Sequence, residues 1–323
     1  FWLKPTSAPC RRFLAHGTFP RVQSRSPWVP AACAAMMAFR CASIQGICCT
    51  WAKSLEDQSV YDERMHCDLQ AEEVLADGKA VEDVPLEERS ETEVEGGARY
   101  AGQWRGPLRH GYGIIWRLDG QRYEGEHRES RAHGYGTLRT ASGNTFEGQW
   151  HADKAHGRGK YCHVDGGSYE GEWCWDEKSG EGVEKWADGS MYIGSFLGGT
   201  KHGLGVYESG NCARFEGCFR SDNMDGDGTY TFPDGRVYSG QWRSGHMSGM
   251  GRMSWPDGSK YEGLFEHSLK HGNGCFVWPQ GGKYRGQWQR GKQHGSGVAT
   301  DASGVDRPGI WLHGEGVGEH ASS

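Results

Sequence analysis

The sequence lacks long hydrophobic runs, helical periodicity and, over most of its length, an excess of either charge. The longest apolar stretch, residues 29–39, is about 11 residues long, whereas a membrane-spanning helix needs about 20. Residues 99–323 hold 26 bases and 27 acids, so no nucleic-acid partner is expected, because such partners need a basic stripe. No helical period appears between residues 100 and 306, which excludes helical repeats and α/β folds there.

Signatures of catalysis and of bound metal are also scarce. No Ser-His-Asp or Cys-His set is favoured by spacing. Residues 286–292 imitate a phosphate-binding loop, but Gln293 stands where Ser or Thr should hold magnesium. Residues 223–228 imitate a calcium loop, but the flanking helices of an EF-hand are missing. We therefore predict a protein that is not an enzyme and has no catalytic residue, no cofactor and no metal.

The cysteines follow no disulfide framework. Six of the eleven precede residue 100, and the other five fall at unrelated positions. A reducing, cytoplasmic location is therefore predicted.

The sequence does have a ladder of aromatic residues that recur every 23 positions without an insertion or deletion. We number each unit from its aromatic residue, which has offset 0. Glycine stands at offsets 2, 11 and 13 in all nine units, and offset 4 is aromatic in eight, with His127 as the exception. Such a short fixed period is typical of repeat proteins, in which each unit buries its apolar face against its neighbours.

The offsets predict one β-hairpin in each unit. Side chains alternate along a strand, so offsets 0, 2 and 4 share one face and the polar offsets 1 and 3 share the other. A second strand is expected from offset 11 to about offset 17, after a polar loop at offsets 5–10. Offset 15 is mostly apolar, but Glu184 breaks this column. Asp-Gly at offsets 19 and 20 of five units predicts a tight turn into the next hairpin.

Successive hairpins must then pair antiparallel. The predicted fold is all-β: nine antiparallel β-hairpins that form one elongated twisted sheet, about 85–90 Å long at roughly 4.8 Å per strand. The glycines are expected to let the large rings lie over bare backbone and stack along the sheet. Histidines recur at offset 10 in six units, and we expect them to bond the turn backbone.

The motif Tyr-x-Gly-x-Trp-x-x-Gly-Lys-x-His-Gly-x-Gly resembles the MORN repeat (membrane occupation and recognition nexus). Residues 284–297 match it at every marked position. The resemblance extends from residue 100 to about residue 315. It implies a rod of antiparallel hairpins that serves in scaffolding, dimerisation, cytoskeletal or ciliary assemblies and membrane-proximal anchoring. Phospholipid binding is also often proposed for these repeats.

The pattern divides the chain into five segments. They are a basic, cysteine-containing segment (1–55), an acidic linker with a short helix (56–98), nine repeats (100–306), a capping half-repeat (307–315) and a tail (316–323). In the half-repeat, glycine and tryptophan keep offsets 2 and 4, which predicts one closing strand. We expect no lipid-kinase or methyltransferase domain of the kind that some relatives carry, because no residues remain for it.

The N-terminal region is expected to be largely disordered. Residues 1–55 contain seven bases and no acid, which suits a targeting peptide or a gene-model artefact, and residues 56–98 hold 15 acids against three bases. With Gly46 as the first residue after Met, the spacing would suit myristoylation, and Cys48 and Cys49 would suit palmitoylation. The alternative is a chance Gly-Cys-Cys, because Gln45 precedes the glycine.

Offsets 0 and 4 together form a predicted aromatic stripe. It serves either as the core of a one-sheet protein alone or also as a binding groove for a partner or a second copy. Its members are Tyr100, Trp104, Tyr123, Phe146, Trp150, Tyr169, Trp173, Tyr192, Phe196, Phe215, Phe219, Tyr238, Trp242, Tyr261, Phe265, Tyr284 and Trp288.

Two functions fit these features. The first is a non-catalytic scaffold or adaptor that links membrane or cytoskeletal structures, ciliary ones included, through protein–protein contacts and as a homodimer. The second is a module that binds phosphoinositide or phosphatidic acid as a membrane-recruitment or regulatory subunit. Its contacts to anionic lipid would be Arg131, Lys201 and Lys292. Both functions predict a cytoplasmic location at a membrane or the cytoskeleton.

Overall fold

The computed structural model of the chain describes residues 84–319, which form one open sheet of 21 strands. Each strand pairs antiparallel with the strand before it and the strand after it, so the sheet is a continuous meander. No α-helix occurs among the described residues, and one 3-10 turn, Glu95–Gly97, separates the first two strands. The predicted all-β array of hairpins is confirmed.

The strands are β1 Leu86–Glu93, β2 Arg99–Arg105, β3 Leu108–Trp116, β4 Arg122–Arg128, β5 Arg131–Arg139, β6 Thr145–His151, β7 Lys154–Cys162, β8 Ser168–Cys174, β9 Glu177–Lys185, β10 Met191–Leu197, β11 Thr200–Glu208, β12 Arg214–Arg220, β13 Asn223–Thr231, β14 Val237–Arg243, β15 His246–Ser254, β16 Lys260–Glu266, β17 Leu269–Val277, β18 Lys283–Gln289, β19 Lys292–Thr300, β20 Asp306–Leu312 and β21 Glu315–Glu319.

Glycines at offsets 2 and 13 let each offset-0 ring lie directly on the backbone. Gly194 and Gly205 face each other across β10 and β11. A Cβ built on Gly205 would lie 2.4 Å from the Tyr192 ring, closer than two carbon atoms can approach. Tyr192 is fully buried as a result. The expected stacking of large rings over bare backbone is therefore present.

A bulge at offsets 10–12 interrupts each hairpin. In the first unit, Gln103 of β2 faces three residues of β3, His110 to Tyr112. Gly111 at its centre has a φ of 73°, a left-handed conformation that glycine adopts without a steric penalty. The Gln103 Oε1 accepts a hydrogen bond from the Tyr112 amide at 2.9 Å. Gln or Glu at offset 3 caps the bulge in the same way in four further units.

The bulge also gives the offset-0 tyrosines a hydrogen-bond partner. In seven of the nine units the residue at offset 3 has no direct partner in its own hairpin, the exceptions being Glu172 and Leu264. Where offset 0 is tyrosine, its hydroxyl donates to the carbonyl oxygen of the offset-3 residue. Tyr192 Oη, for example, lies 3.0 Å from the Ser195 oxygen. All seven tyrosines at offset 0 make this bond. The tyrosine hydroxyl thus gives the backbone oxygen opposite the bulge a hydrogen bond.

Replacing Tyr192 by phenylalanine should lower the free energy of unfolding by about 1 kcal/mol, the typical net value of one such bond. The ring contacts would be kept, because Phe146 and Phe215 occupy the same offset in two other units. Urea unfolding followed by tryptophan fluorescence measures the change. The reverse substitution Phe215→Tyr is the control and should be stabilising or neutral; an equal loss in both variants would contradict the assignment.

The connection within each hairpin differs from the prediction. It is a two-residue turn at offsets 6 and 7, not a loop over offsets 5–10, and the second strand begins at offset 8. Both turn residues have positive φ in every unit after the first, for example 45° at Ser221 and 67° at Asp222, whereas the first turn pairs Gly106 with Pro107. The Asp222 carboxylate accepts a bond from the Lys201 amide of the preceding unit at 3.0 Å. Because this bond ties the turn to β11 of the preceding unit, it stabilises a conformation that non-glycine residues seldom adopt.

Both ends of the sheet also differ from the prediction. The acidic linker predicted over residues 56–98 ends earlier, because β1 pairs with β2 over residues 86–93. At the other end, β20 and β21 form a complete hairpin, whereas we predicted one closing strand over 307–315 and a tail over 316–323. Both additions cover a strand edge of the repeats that would otherwise have unpaired backbone groups.

Candidate functional site

The predicted aromatic stripe forms a continuous ladder of ring contacts along one face of the sheet. Each offset-0 ring meets the offset-4 ring of its own unit and that of the next unit edge to face. Tyr192 lies 5.1 Å from Phe196 and 5.0 Å from Phe219, between ring centroids. The ladder runs from Trp104 to Trp311. Every predicted stripe residue is buried, so the stripe is the core, and only the layer above it can meet a partner.

His127 takes the place of the missing aromatic residue in this ladder. Its ring lies 5.1 Å from both the Tyr100 and the Tyr123 rings. Its Nδ1–H donates to the Gly125 carbonyl oxygen at 3.1 Å, which defines the neutral tautomer. Burial lowers the pKa of His127 to about 4, because the charged imidazolium would lose its hydration there. His127 is therefore the structural equivalent of the aromatic residue at offset 4 of the other units.

His127 should make the sheet sensitive to acid. The unfolded chain, with a His127 pKa near 6.5, binds more protons than the folded chain, so this contribution to stability is complete above about pH 6.5 and is lost as the pH falls toward 4. Between pH 7.5 and pH 5 the loss should be about 2 kcal/mol. Urea unfolding at both pH values, compared between the native chain and His127→Phe, isolates this term. An unchanged pH dependence in the variant would contradict the assignment.

A second, partly exposed layer lies above the ladder and comes from offsets 9, 15 and 17. Offset 9 is alanine in the second and third units and methionine in the sixth and seventh, Met224 and Met247. Offset 17 is aromatic in four units, and these rings pack against offset-15 rings: Trp255 lies 5.5 Å and Trp278 5.1 Å from Phe276. Trp278 is 38% exposed. This layer is most apolar in the sixth to eighth units. The residue types at offsets 9, 15 and 17 of the sequence are enough to indicate this.

Cations at offset 9 lie over the ladder rings in four units, at Arg109, Lys178, Lys201 and Lys270. Lys178 is ion-paired with Glu184, which explains why a carboxylate breaks the apolar column at offset 15. Lys201 is ion-paired with Asp222 at 3.0 Å. Lys270 Nζ lies 4.1 Å from the Trp288 centroid and has no carboxylate partner among the described residues. Burial lowers the pKa of Lys270 to about 8.

The three predicted lipid contacts are far apart. Arg131 begins β5 and Lys292 begins β19, and both are exposed. They are 14 strands apart, about 65 Å along the sheet. Lys201 lies in β11 between them, and its side chain is only 18% exposed because of its pairing with Asp222. No two of these cations can therefore hold the same headgroup.

The recurring histidines line the edge of the sheet that carries the two-residue turns. The expected bond to the turn backbone is not made by the Nδ1 atoms of His110, His156 and His294, which are buried without a hydrogen-bond partner. Burial lowers the pKa values of His110, His133 and His156. These rings pack instead: His151 lies 5.1 Å from His133 and 5.7 Å from His156. No group of three or more ligating side chains in the described part of the chain could hold a metal ion.

The nine hairpins coincide with a protein-family model whose description is MORN repeat. The match covers residues 100–122, 123–145, 146–168, 169–191, 192–211, 215–235, 238–260, 261–283 and 284–305. The chain belongs to the MORN-repeat family. This confirms the resemblance of the motif, and it indicates a repeat scaffold or a membrane-associated module.

Several solved structures are similar to this MORN-repeat chain at a low level. The Drosophila melanogaster SAS-4 (dCPAP) TCP domain, in complex with a proline-rich motif of Ana2, is 12% identical, with a TM-score of 0.26, over 68% of this chain and 100% of that one. A point mutant of the Danio rerio CPAP TCP10 domain is 12% identical, with a TM-score of 0.24, over 68% and 96%. Virginiamycin B lyase from Staphylococcus aureus is 7% identical, with a TM-score of 0.15, over 69% and 84%. These likenesses support no argument about function, and no curated protein matches the sequence.

Some predictions concern residues outside the described part of this MORN-repeat chain. They are the acylation residues Gly46, Cys48 and Cys49 and the segments before residue 84. Among residues 84–319, no helix is long and apolar enough to span a membrane. Among the described cysteines, Cys162 and Cys275 have free thiols.

Proposed function

We propose that this MORN-repeat chain is a non-catalytic scaffold that links membrane or cytoskeletal structures through protein contacts on the aromatic face of its sheet. The observation that supports this most is the partly exposed apolar layer above the buried ladder. A single sheet has nothing of its own to cover this layer, and exposed apolar patches of this kind mark interaction sites. The same surface could pair two copies of the chain, so a homodimer belongs to the proposal.

The supporting residues cluster on one face. Trp186, Phe232 and Trp255 are partly buried and Trp278 is exposed, and all of them follow the second strand of a hairpin at offset 17. Aromatic residues dominate the energy of protein interfaces because they bury a large area for few rotatable bonds. Repeat proteins present such side chains in a row along an extended surface.

The test is proximity labelling in cells with the full chain and two variants. In the first variant, Trp186, Trp255 and Trp278 are replaced by serine. In the second, Tyr112, Tyr135 and Leu204, exposed side chains of the opposite face, are replaced by serine. We expect the labelled neighbours of the native chain to be lost with the first variant and kept with the second. Neighbours that survive in the first variant would contradict the proposal, provided that both variants unfold at native urea concentrations.

The alternative function, recognition of anionic phospholipid, has less support. The 26 bases and 27 acids of residues 99–323 nearly cancel, and Arg131 and Lys292 are too far apart to act on one headgroup. Flotation of the chain with vesicles that contain phosphatidic acid or phosphoinositides tests it. We expect little binding; clear, salt-sensitive flotation that Arg131→Ala and Lys292→Ala reduce would favour the lipid module instead.

Membrane anchoring by acylation is a separate part of the proposal. Two lipid chains are needed for stable anchoring, and Gly46 with Cys48 and Cys49 would supply them if the mature chain begins at Gly46. Localisation of a tagged protein with and without residues 46–49 tests the anchor and the compartment together. Mass spectrometry of the mature N-terminus is the direct check, and a peptide that contains Arg40 or Cys41 would contradict acylation at Gly46.

A further inference from the structure

The ammonium group of Lys270 is held differently from its equivalents. Lysines at offset 9 of the fourth and fifth units have carboxylate partners, Glu184 for Lys178 and Asp222 for Lys201. Lys270 lies over the same kind of ring surface, 4.8 Å from the Phe276 centroid and 5.6 Å from the Tyr261 centroid. No carboxylate of the described residues forms an ion pair with it. Glu266 is close in sequence, but it pairs with His271 at 3.1 Å.

Lys270 is partly buried, and no anion of the described residues offsets the hydration that its ammonium group loses over the rings. Cation–π contacts with the aromatic faces compensate for only part of the hydration energy that the ammonium group loses. The remaining deficit appears in the pKa of Lys270, which burial alone lowers to about 8. A carboxylate brought by a partner would remove this deficit and would gain a charge-assisted hydrogen bond in a poorly hydrated environment.

The surroundings of Lys270 are apolar and partly open. Phe276 and Trp255 are partly buried, and Trp278 beside them is exposed. A ligand that reaches Lys270 must therefore also cover aromatic rings. Among the described residues, Lys270 is the only cation over the Phe276 and Trp288 rings. A phosphate, which usually takes several bases or an Arg fork, is thus a poorer match than a single carboxylate.

The geometry points to a docking site for a segment of a partner protein in which a carboxylate stands next to aromatic or aliphatic side chains. The carboxylate pairs with Lys270, and the apolar side chains cover Trp255, Phe276 and Trp278. This site rests on the proposed scaffold function and names the chemistry of one partner. Lys270 and Phe276 lie on β17, Trp278 follows β17 and Trp255 follows β15, so the docking segment crosses the seventh and eighth units.

The test begins with the full chain and a phage-displayed library of random twelve-residue peptides. We expect enriched peptides to share Asp, Glu or a free C-terminal carboxylate within a few residues of a large apolar side chain. Calorimetry with an enriched peptide should then show that Lys270→Met weakens binding by about tenfold or more, the value of one charge-assisted bond. Asn or Gln in place of the peptide's acid should weaken binding to the native chain equally and should have no further effect on the variant.

Matched variants separate the site from general damage to the fold. Lys201→Met removes a cation of the same offset that already has a partner, and it should leave the affinity within about twofold. Trp278→Ala, at an exposed position, should weaken binding while the urea midpoint stays native. Methionine at offset 9 is present in two other units, so Lys270→Met should fold.

Several outcomes would overturn the site. They are the absence of any enriched peptide, enrichment of peptides without an acid, and binding that Lys270→Met does not change. Binding of phosphatidylserine or phosphoinositide vesicles that Lys270→Met abolishes would also overturn it and would assign the lysine to a lipid headgroup. Each of these leaves the scaffold proposal standing, because that proposal is tested by the loss of labelled neighbours in cells.

Discussion

Gly205→Ala is expected to be among the most damaging single substitutions in the sheet and to lower the free energy of unfolding by at least about 3 kcal/mol. The new methyl group would lie 2.4 Å from the Tyr192 ring. That ring cannot move away, because Phe196 and Phe219 contact it on either side and its hydroxyl is bonded to the Ser195 carbonyl. Displacement of Tyr192 would therefore break the ladder between two units.

Gly205→Ala should disrupt the packing of one unit and thereby lower the cooperativity of unfolding of the whole sheet. Each unit of a repeat protein contacts only its neighbours, so a broken unit in the middle leaves two shorter arrays. Urea unfolding followed by circular dichroism should change from one transition to two or to one broad transition. Gly189→Ala is the control: its φ is 83° but no atom lies within 4 Å of the new Cβ, so only a backbone penalty of about 1 kcal/mol is expected.

A second substitution shows whether the clash itself is responsible. Tyr192→Leu in the Gly205→Ala background removes the ring that the methyl group meets. The double variant should be less destabilised than the sum of the two single variants, because the two residues are in contact. Additive effects, or a Gly205→Ala variant as stable as Gly189→Ala, would contradict the idea that these glycines are required by the rings above them.

The parts of the fold that the sequence predicts are those that depend on neighbouring residues of one strand. Rings at offset 0 and glycine at offset 2 alternate along a strand, and that period is enough to assign their common face. The register between the two glycine columns, such as Gly194 with Gly205, then follows from the fit of a ring over bare backbone.

The parts that the sequence does not predict depend on contacts between units. A turn such as Trp175-Asp176 has no ordinary turn signature, and its positive φ values become favourable only because the Asp176 carboxylate accepts the Ala155 amide of the preceding unit at 2.8 Å. The bulge depends on a contact across its own hairpin, since its cap comes from the opposite strand. Among the candidate binding residues, Lys201 appeared available from its sequence position, but its partner Asp222 is 21 residues away.

The same reasoning explains Glu184 and leads to the second large effect. Lys178→Met should lower the free energy of unfolding by about 3 kcal/mol, because it leaves the Glu184 carboxylate unpaired beside ring faces that repel negative charge. The two side chains are only 25% and 16% exposed. Glu184→Leu should cost less, about 2 kcal/mol, since the Lys178 ammonium keeps its contacts with the Tyr169 and Phe196 rings.

The double variant Lys178→Met/Glu184→Leu should return to within about 1 kcal/mol of the native stability. Methionine at offset 9 and leucine at offset 15 already occur in other units, as Met224 and Leu138. We therefore expect both side chains of the double variant to pack against the aromatic ladder. A double-mutant cycle by urea unfolding should give a coupling energy of several kcal/mol, whereas the exposed pair Arg307–Asp301 should give less than about 1 kcal/mol. A coupling energy near zero between Lys178 and Glu184 would contradict the idea that the lysine compensates for the carboxylate at offset 15. A large coupling would show that Lys178 and Glu184 stabilise each other over this ladder. Lys270 alone, among the offset-9 lysines of the described sheet, has no such carboxylate within its own chain.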